Sequence, residues 1–249
     1  MWRAVLTCVV CLLSAPAFAD SSTPTVSSNV GDRDKAGLEL ARRIRNAAPQ
    51  ENTRAQGVLR IRNRDRKTVE IPVSFQVLAG GASWQVIYEA KQGSGTTEKL
   101  VILRAPDRPN EYLYTKPGAS EPVKLTGNNA MISFAGSDFW LADLGLEFLQ
   151  WPVQRLVKTE MRKSVWCHVL ESINPSPRSG SYARVVSWLE KESGGPVLAE
   201  AFDSGGRQLK EFSINSIKKV QGEYQLKEME ISSRETGTRT KLEFQLENK

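Results

Sequence analysis

Two long blocks of alternating apolar and polar residues, separated by a short oily stretch, dominate the chain. Side chains on a strand point to opposite faces in turn, so a period of two marks a strand with one buried face. In 55–64, Leu59 and Ile61 fall on one face and Arg60, Arg62 and Arg64 on the other. Ile71, Val73, Phe75 and Val77 repeat the pattern, as do Trp84, Val86, Tyr88 and Ala90 beyond the turn pair Gly80-Gly81. A continuous apolar run at 100–103 and short segments at 111–115 and 122–126 complete the first block. The second block runs through 164–173, 181–190, 196–203, 208–217, 223–232 and 241–247. In its last segment Leu242, Phe244 and Leu246 share one face, while Lys241, Glu243, Gln245 and Glu247 share the other. Turn residues such as Asp203-Ser204-Gly205-Gly206 and Thr236-Gly237 separate neighbouring segments, as an antiparallel meander requires. About a dozen strands without a fixed repeat predict one highly curved sheet or an open barrel rather than βαβ units.

Helical spacing appears twice. In 32–48, Leu40, Ala41, Ile44 and Ala48 line one face, Arg42, Arg43 and Arg45 lie elsewhere, and Pro49 follows the end. This is an amphipathic helix that docks on something. In 136–151, Phe139, Trp140, Leu141, Leu144, Leu146, Phe148, Leu149 and Trp151 cover nearly the whole circumference, Gly145 weakens the middle, and Pro152 ends it. Ser137 or Asp138 is the expected N-cap. A helix apolar all round has to be covered on most sides. The concave face of a curved sheet offers that cover, so the segment is expected across its mouth or inside its hollow, either as a movable lid or as an ordinary core helix.

The beginning of the chain changes the setting. Residues 1–19 carry one basic residue, Arg3, then an apolar run from Val5 to Leu13, and end Ala17-Phe18-Ala19. That is the pattern of a secretory signal cleaved after Ala19. The run is shorter than the about 20 residues of a membrane span, and Cys8 and Cys11 lie inside it rather than at a lipoprotein cleavage site. A soluble protein is therefore expected after cleavage. Residues 20–31, rich in Ser, Thr and Pro, predict a flexible leader, and 32–249 form the folded part. Cys167 alone would then remain, with no partner for an internal disulfide, so the core has to supply stability. The formal net charge of +6 becomes +5 without Arg3. That mild excess suits an anionic surface and equally suits an ordinary solvated one.

Catalytic chemistry has little to recommend it. His168 is the only histidine, there is no H-E-x-x-H, no C-x-x-C beyond the expected signal segment, and no G-x-S-x-G nucleophile motif. Cys167 and His168 are strand neighbours that point to opposite faces, so they form no dyad, and structural roles are expected for both. Glu228 and Glu230 share a face with few apolar residues and are expected outside. No metal or cofactor is expected. Arg60, Arg62 and Arg64 make a basic stripe that could meet anionic lipid headgroups, or simply a charged outer face. It lacks the aromatic interleaving that stacks nucleotides, and no nucleic-acid partner is expected. Trp84, Tyr88, Phe139, Trp140, Leu144, Phe148 and Trp151 are the expected lining of the hollow and its lid, where they would grip acyl chains or fill a core.

The order helix, meander, "GSDFWLADL", "VWCHVLESINP", "YARVVSWLEKESGGPVLAEAFDSGGRQLKEF" and "KLEF" resembles the outer-membrane lipoprotein-sorting protein-like family. That family shares its fold with periplasmic lipoprotein carriers of the LolA and LolB type. The resemblance spans about residues 32–249 and rests on scaffold motifs, not catalytic ones. It implies a single curved antiparallel sheet forming an open half-barrel, covered by an N-terminal helix and a central helical lid. It also implies a non-enzymatic periplasmic carrier, lipoprotein or lipid as cargo, and handover proteins at the inner or outer membrane. Two rivals stay open: a cell-envelope structural or interaction protein with a filled core, and, more weakly, a hydrolase whose carboxylates assemble only in space.

Overall fold

The computed structural model describes residues 29–93, 95–220 and 223–246. The expected signal segment, the expected leader up to residue 28, and Glu247 lie outside the described residues. Among the described residues thirteen strands build one antiparallel sheet. The first block gives β1 (Thr53–Arg62), β2 (Thr68–Gly80), β3 (Ser83–Lys91), β4 (Thr97–Arg104), β5 (Glu111–Thr115) and β6 (Val123–Leu125). The second gives β7 (Val153–Arg162), β8 (Val165–Ile173), β9 (Arg184–Glu190), β10 (Pro196–Phe202), β11 (Gln208–Val220), β12 (Glu223–Ser233) and β13 (Arg239–Gln245).

Each block is a meander, and the two join through their outermost members in sequence. The strand order is β6-β5-β4-β3-β2-β1-β13-β12-β11-β10-β9-β8-β7. The first and last strands therefore meet in the middle of the sheet, with Leu59 opposite Leu242. The strands β6 and β7, joined by the central segment, form the two edges and do not pair with each other. This is the expected open half-barrel.

The period-two residues do what their spacing predicts. Leu59, Ile71, Phe75, Tyr88, Leu100, Tyr112, Leu242 and Phe244 are buried on the inner face. Phe75 packs against Tyr88 and Phe244 with ring centroids 5.1 and 5.9 Å apart and the rings inclined by 59° and 67°, close to the edge-to-face geometry that aromatic quadrupoles favour. The outer face is not uniformly wet, however. In the second block Cys167, Val169, Trp188 and Leu198 form a separate buried cluster on the side opposite the main core. Arg162 covers the Trp188 ring at 5.3 Å, and Glu160 accepts a 2.6 Å hydrogen bond from its indole N–H. Burial pushes the Cys167 thiol up to about 11, which leaves it a small hydrophobe rather than a nucleophile. His168 points to the inner face and lies 3.2 Å from the Thr159 hydroxyl; burial lowers its proton affinity.

β7 has no counterpart among the strands expected from the pattern. Its inward residues are Gln154 and Leu156, after which a bulge between Leu156 and Lys158 breaks the alternation. The inward glutamine masks the signal, yet Gln154 is 1% exposed.

The N-terminal helix α1 (Val30–Arg45) starts two residues earlier than its apolar spacing suggests, because the Asn29 side chain accepts from the Gly31 N–H. It stops three residues sooner, where Arg42 and Asn46 both bond the Asp107 carboxylate. The helix covers edge strand β7. Arg33 donates to the carbonyls of Leu156 and Val157, while Gly37 lies so close that a Cβ would stand 2.6 Å from the Gln154 carbonyl oxygen. Among the described residues no helix is long and apolar enough to cross a membrane.

Candidate functional site

The chain leaves the sheet at one edge, β6, and re-enters it at the other, β7. The connection from 126 to 152 therefore has to cross the concave face, and this answers why the oily stretch lies in mid-chain. It is not one continuous helix. A bridge between Ser133 and Trp140 closes a tight loop, followed by one α-turn, α2 (Leu141–Leu144), and a 3-10 turn at Glu147–Gln150. The break falls at Leu146, which is held at φ 51° in the left-handed region; Ala135 sits at φ 53°. Such backbone costs an ordinary L-residue roughly 1–2 kcal/mol. Gly145 permits the closest approach to the sheet, since a Cβ there would lie 2.2 Å from the Tyr112 hydroxyl.

The cap also differs from expectation. Neither Ser137 nor Asp138 caps the turn. The Asp143 carboxylate accepts from the Trp140 N–H at 2.8 Å instead. Ser137 bonds the Phe139 N–H, and Asp138 is occupied by the sheet: it accepts from the hydroxyls of Thr238 and Thr240, while its own N–H donates to Thr240.

Polar groups from the sheet hold this segment at four further points. Glu98 of β4 is 3% exposed and accepts from the Ala135 N–H and the Tyr114 hydroxyl, both at 2.8 Å. Lys210 of β11 donates to the Asp138 carbonyl at 2.6 Å, lies 3.4 Å from Asp143, and stands 3.6 Å above the Trp140 ring. Burial pulls its ammonium down to about 8, partly offset by Asp143. Glu147 accepts from the Tyr112 hydroxyl at 2.7 Å, and burial pushes its carboxyl up to about 7 against the pull of that bond and of Arg104. Gln154 donates to the carbonyls of Phe148 and Trp151 and is held in turn by the Ser172 hydroxyl.

Beneath the segment an apolar hollow of about 40 Å³ remains. It is walled by Val185, Ala199, Phe212, Met229 and Ile231 of the sheet, and by Phe139, Leu144 and Phe148 of the segment. An apolar cavity of about 150 Å³ accommodates benzene, so this space is smaller than any acyl chain. Three of the residues expected to line a hollow thus do so: Phe139, Leu144 and Phe148. Trp84 and Tyr88 are fully enclosed farther away, in the core of the first block. Trp140 is stacked on Tyr182 at 4.5 Å instead of facing the cavity, and Trp151 packs with α1 in the second core cluster. Arg60 is ion-paired to Glu70 and Glu243 on the strands either side, while Arg62 and Arg64 are exposed. Lys210 escapes the pattern because a polar residue on a strand ordinarily marks an outer face, while Tyr182 precedes β9 in a loop and Asp143 sits in α2, where no period of two applies. A Lys at an inward position of β11 is the one cue that the sequence offers.

Thr240→Val removes both hydroxyl contacts to Asp138. It is expected to cost about 1–2 kcal/mol in urea unfolding, since the carboxylate loses a buried partner, and to speed hydrogen exchange at the Asp138 amide. Unchanged exchange there would mean that the threonine does not fasten the segment.

An unclosed antiparallel half-barrel whose connecting segment crosses its own concave face defines a class, the LolA-type fold. A family model described as "-like: Uncharacterized protein" matches residues 87–247, well over half of the chain, and the chain belongs to that family. A putative outer membrane lipoprotein-sorting protein domain from Vibrio parahaemolyticus is 20% identical, with 86% of this chain and 92% of that one covered at a TM-score of 0.70. A DUF1329 family protein from Desulfovibrio piger is 19% identical, with 86% and 91% covered at 0.66. A LolA superfamily protein from Nitrosomonas europaea is 20% identical, with 86% and 92% covered at 0.57. No curated protein matches the chain. The resemblance to outer-membrane lipoprotein-sorting proteins drawn from the sequence is the one that these structures return.

Proposed function

We infer that the protein is a periplasmic, non-enzymatic carrier that shelters the acyl chains of a lipoprotein or another amphiphile between its sheet and the segment 133–151, in transit toward the outer membrane. The observation that carries this reading is how the segment is held. Buried ionic and polar bonds from Glu98, Lys210, Tyr112 and Gln154 fasten an oily strap over an apolar wall. Such bonds can be exchanged for water when the strap lifts, whereas a plain core helix has no need of them. Two left-handed residues, Ala135 and Leu146, bracket the part that would move, and lifting it relieves their strain. The present form is then the closed, cargo-free one. Each methylene buried on loading contributes about 0.8 kcal/mol, so one or two acyl chains supply enough affinity without catalytic groups. The solved structure from Vibrio parahaemolyticus that is named for lipoprotein sorting supports the class of cargo.

The 40 Å³ hollow favours a second reading, an envelope scaffold whose core is simply filled. The two readings part in one experiment. Protein isolated from the periplasm is extracted for lipid, and the delipidated form is titrated with a pyrene-labelled phospholipid while hydrogen exchange is followed. A carrier yields saturable uptake and faster exchange across 133–151 on loading. A folded protein that neither brings lipid with it nor takes up the probe is the scaffold.

A further inference from the structure

One end of the sheet carries a feature that the hollow does not use. Met161 and Trp166 are cross-strand partners at the closed end of the β7–β8 hairpin, and both are largely exposed, at 58% and 55%. Single exposed apolar residues are ordinary; two of the largest side by side on one hairpin end are not. Lys163 and Ser164 form the turn between them, and Arg162 ends β7 beside it. The antiparallel order brings the finish of β11 and the start of β12 to this same end, adding the exposed Ile217 and the exposed Lys227. The hairpin end is not left loose, because the Lys163 ammonium donates to the Ile214 carbonyl of β11 at 2.7 Å. Of the carboxylates at this end, Glu160 is paired to Lys158 and Glu228 to Lys241, Glu190 accepts from the Glu192 and Ser193 N–H groups, and Glu192 is exposed in the turn whose Lys191 N–H donates to the Trp166 carbonyl.

We propose that this end of the sheet is a bilayer-docking surface, with Trp166 and Met161 entering the headgroup region of an anionic membrane and the surrounding Lys and Arg side chains meeting lipid phosphates. An indole is suited to the interface, where its ring is buried and its N–H stays wet. Basic side chains are drawn to an anionic surface, and this part of the attraction is screened by salt. Pro196, the first residue of β10 and so at this same end, is part of the hollow's wall. Docking here therefore brings the cavity toward the membrane, although the surface acts whether or not the hollow takes cargo.

The test is co-sedimentation of the purified protein with vesicles of phosphatidylcholine alone and of phosphatidylcholine with 30% phosphatidylglycerol, a composition chosen to give the surface potential that basic residues sense. Binding to the anionic vesicles is expected, weakened at least tenfold by high salt or by the Met161→Ala/Trp166→Ala pair, with uptake of a pyrene-labelled lipid in the absence of vesicles unchanged. Emission of the unaltered protein should be quenched by brominated lipid, and this quenching should largely vanish in Trp166→Phe, which keeps the fold testable if the double variant is unstable. Failure of the unaltered protein to bind anionic vesicles overturns the proposal and makes the patch a protein contact. Equal binding by a folded double variant, or quenching that survives in Trp166→Phe, overturns it as well. Because probe uptake is read separately, loss of docking and loss of carrier activity remain distinguishable.

Discussion

Gly37→Val is expected to unseat α1 and to lower the stability of the protein by about 3 kcal/mol, the upper part of the range for forcing extra atoms into a filled contact. Nothing in the conformation of Gly37 demands glycine. The demand is spatial, because a Cβ would stand 2.6 Å from the Gln154 carbonyl oxygen and 2.7 Å from the Arg155 nitrogen. Both are backbone atoms of β7 and cannot rotate away, so the helix has to move. Moving it exposes Leu40, Ala41 and Ile44 and breaks the Arg33 bonds to the edge carbonyls of Leu156 and Val157. Gly31→Ala provides the contrast. Its new methyl would meet only the Asn29 side chain at 3.5 Å, and alanine is favoured over glycine in a helix by about 1 kcal/mol. Urea unfolding of both variants checks the pair: a Gly37→Val midpoint equal to that of the native chain would mean that α1 does not pack as described. Since α1 also buttresses the 3-10 turn through Arg45 and Gln150, the same variant should take up acyl probe more readily.

The sheet was legible in the sequence wherever one face was apolar and the other charged, as in β1, β2, β3 and β13. The period of two then reports the fold directly, because a one-residue slip would bury every arginine of β1. It failed at β7, where a buried glutamine occupies an inward position and a bulge follows. Gln154 is polar for a reason that lies far off in the fold: it has to satisfy the carbonyls at the end of the 3-10 turn. The same logic hid Lys210, whose partners belong to the crossing segment, and Glu98, which accepts from that segment's Ala135 N–H as well as from Tyr114 on the neighbouring strand. The crossing segment itself was placed correctly by its hydrophobicity and given too much helix. Apolar residues all round a helical projection describe burial on every side, and a strap wedged between two sheet edges is buried in that way with only two short turns. Gly145 closes the first turn where the Tyr112 side chain leaves no room for a Cβ, and Leu146 then turns the chain through the left-handed region. Local sequence gives no sign of that tyrosine.

Glu147→Gln is expected to raise stability at pH 8 by on the order of 2–3 kcal/mol and to leave it nearly unchanged at pH 4. Burial raises the Glu147 carboxyl from its ordinary 4.5 to about 7. At pH values below 4.5 both the folded and the unfolded chains hold the proton, and the full contribution is present. Between 4.5 and 7 the unfolded chain releases its proton while the folded chain retains it, so stability falls as pH rises. Above about 7 the carboxylate is charged in the fold, with Tyr112 and Arg104 as its partial compensation. Glutamine keeps the acceptor for the Tyr112 hydroxyl without that charge. Thermal or urea unfolding from pH 4 to pH 8 should therefore show a slope in the native protein that Glu147→Gln removes. Parallel curves for the two proteins would mean that Glu147 titrates normally and is solvated. The consequence for the strap is directional: ionised Glu147 loosens the 3-10 turn, so the segment should lift more easily above neutral pH than below it, and probe uptake by the native protein should accelerate across that interval while uptake by the glutamine variant stays flat.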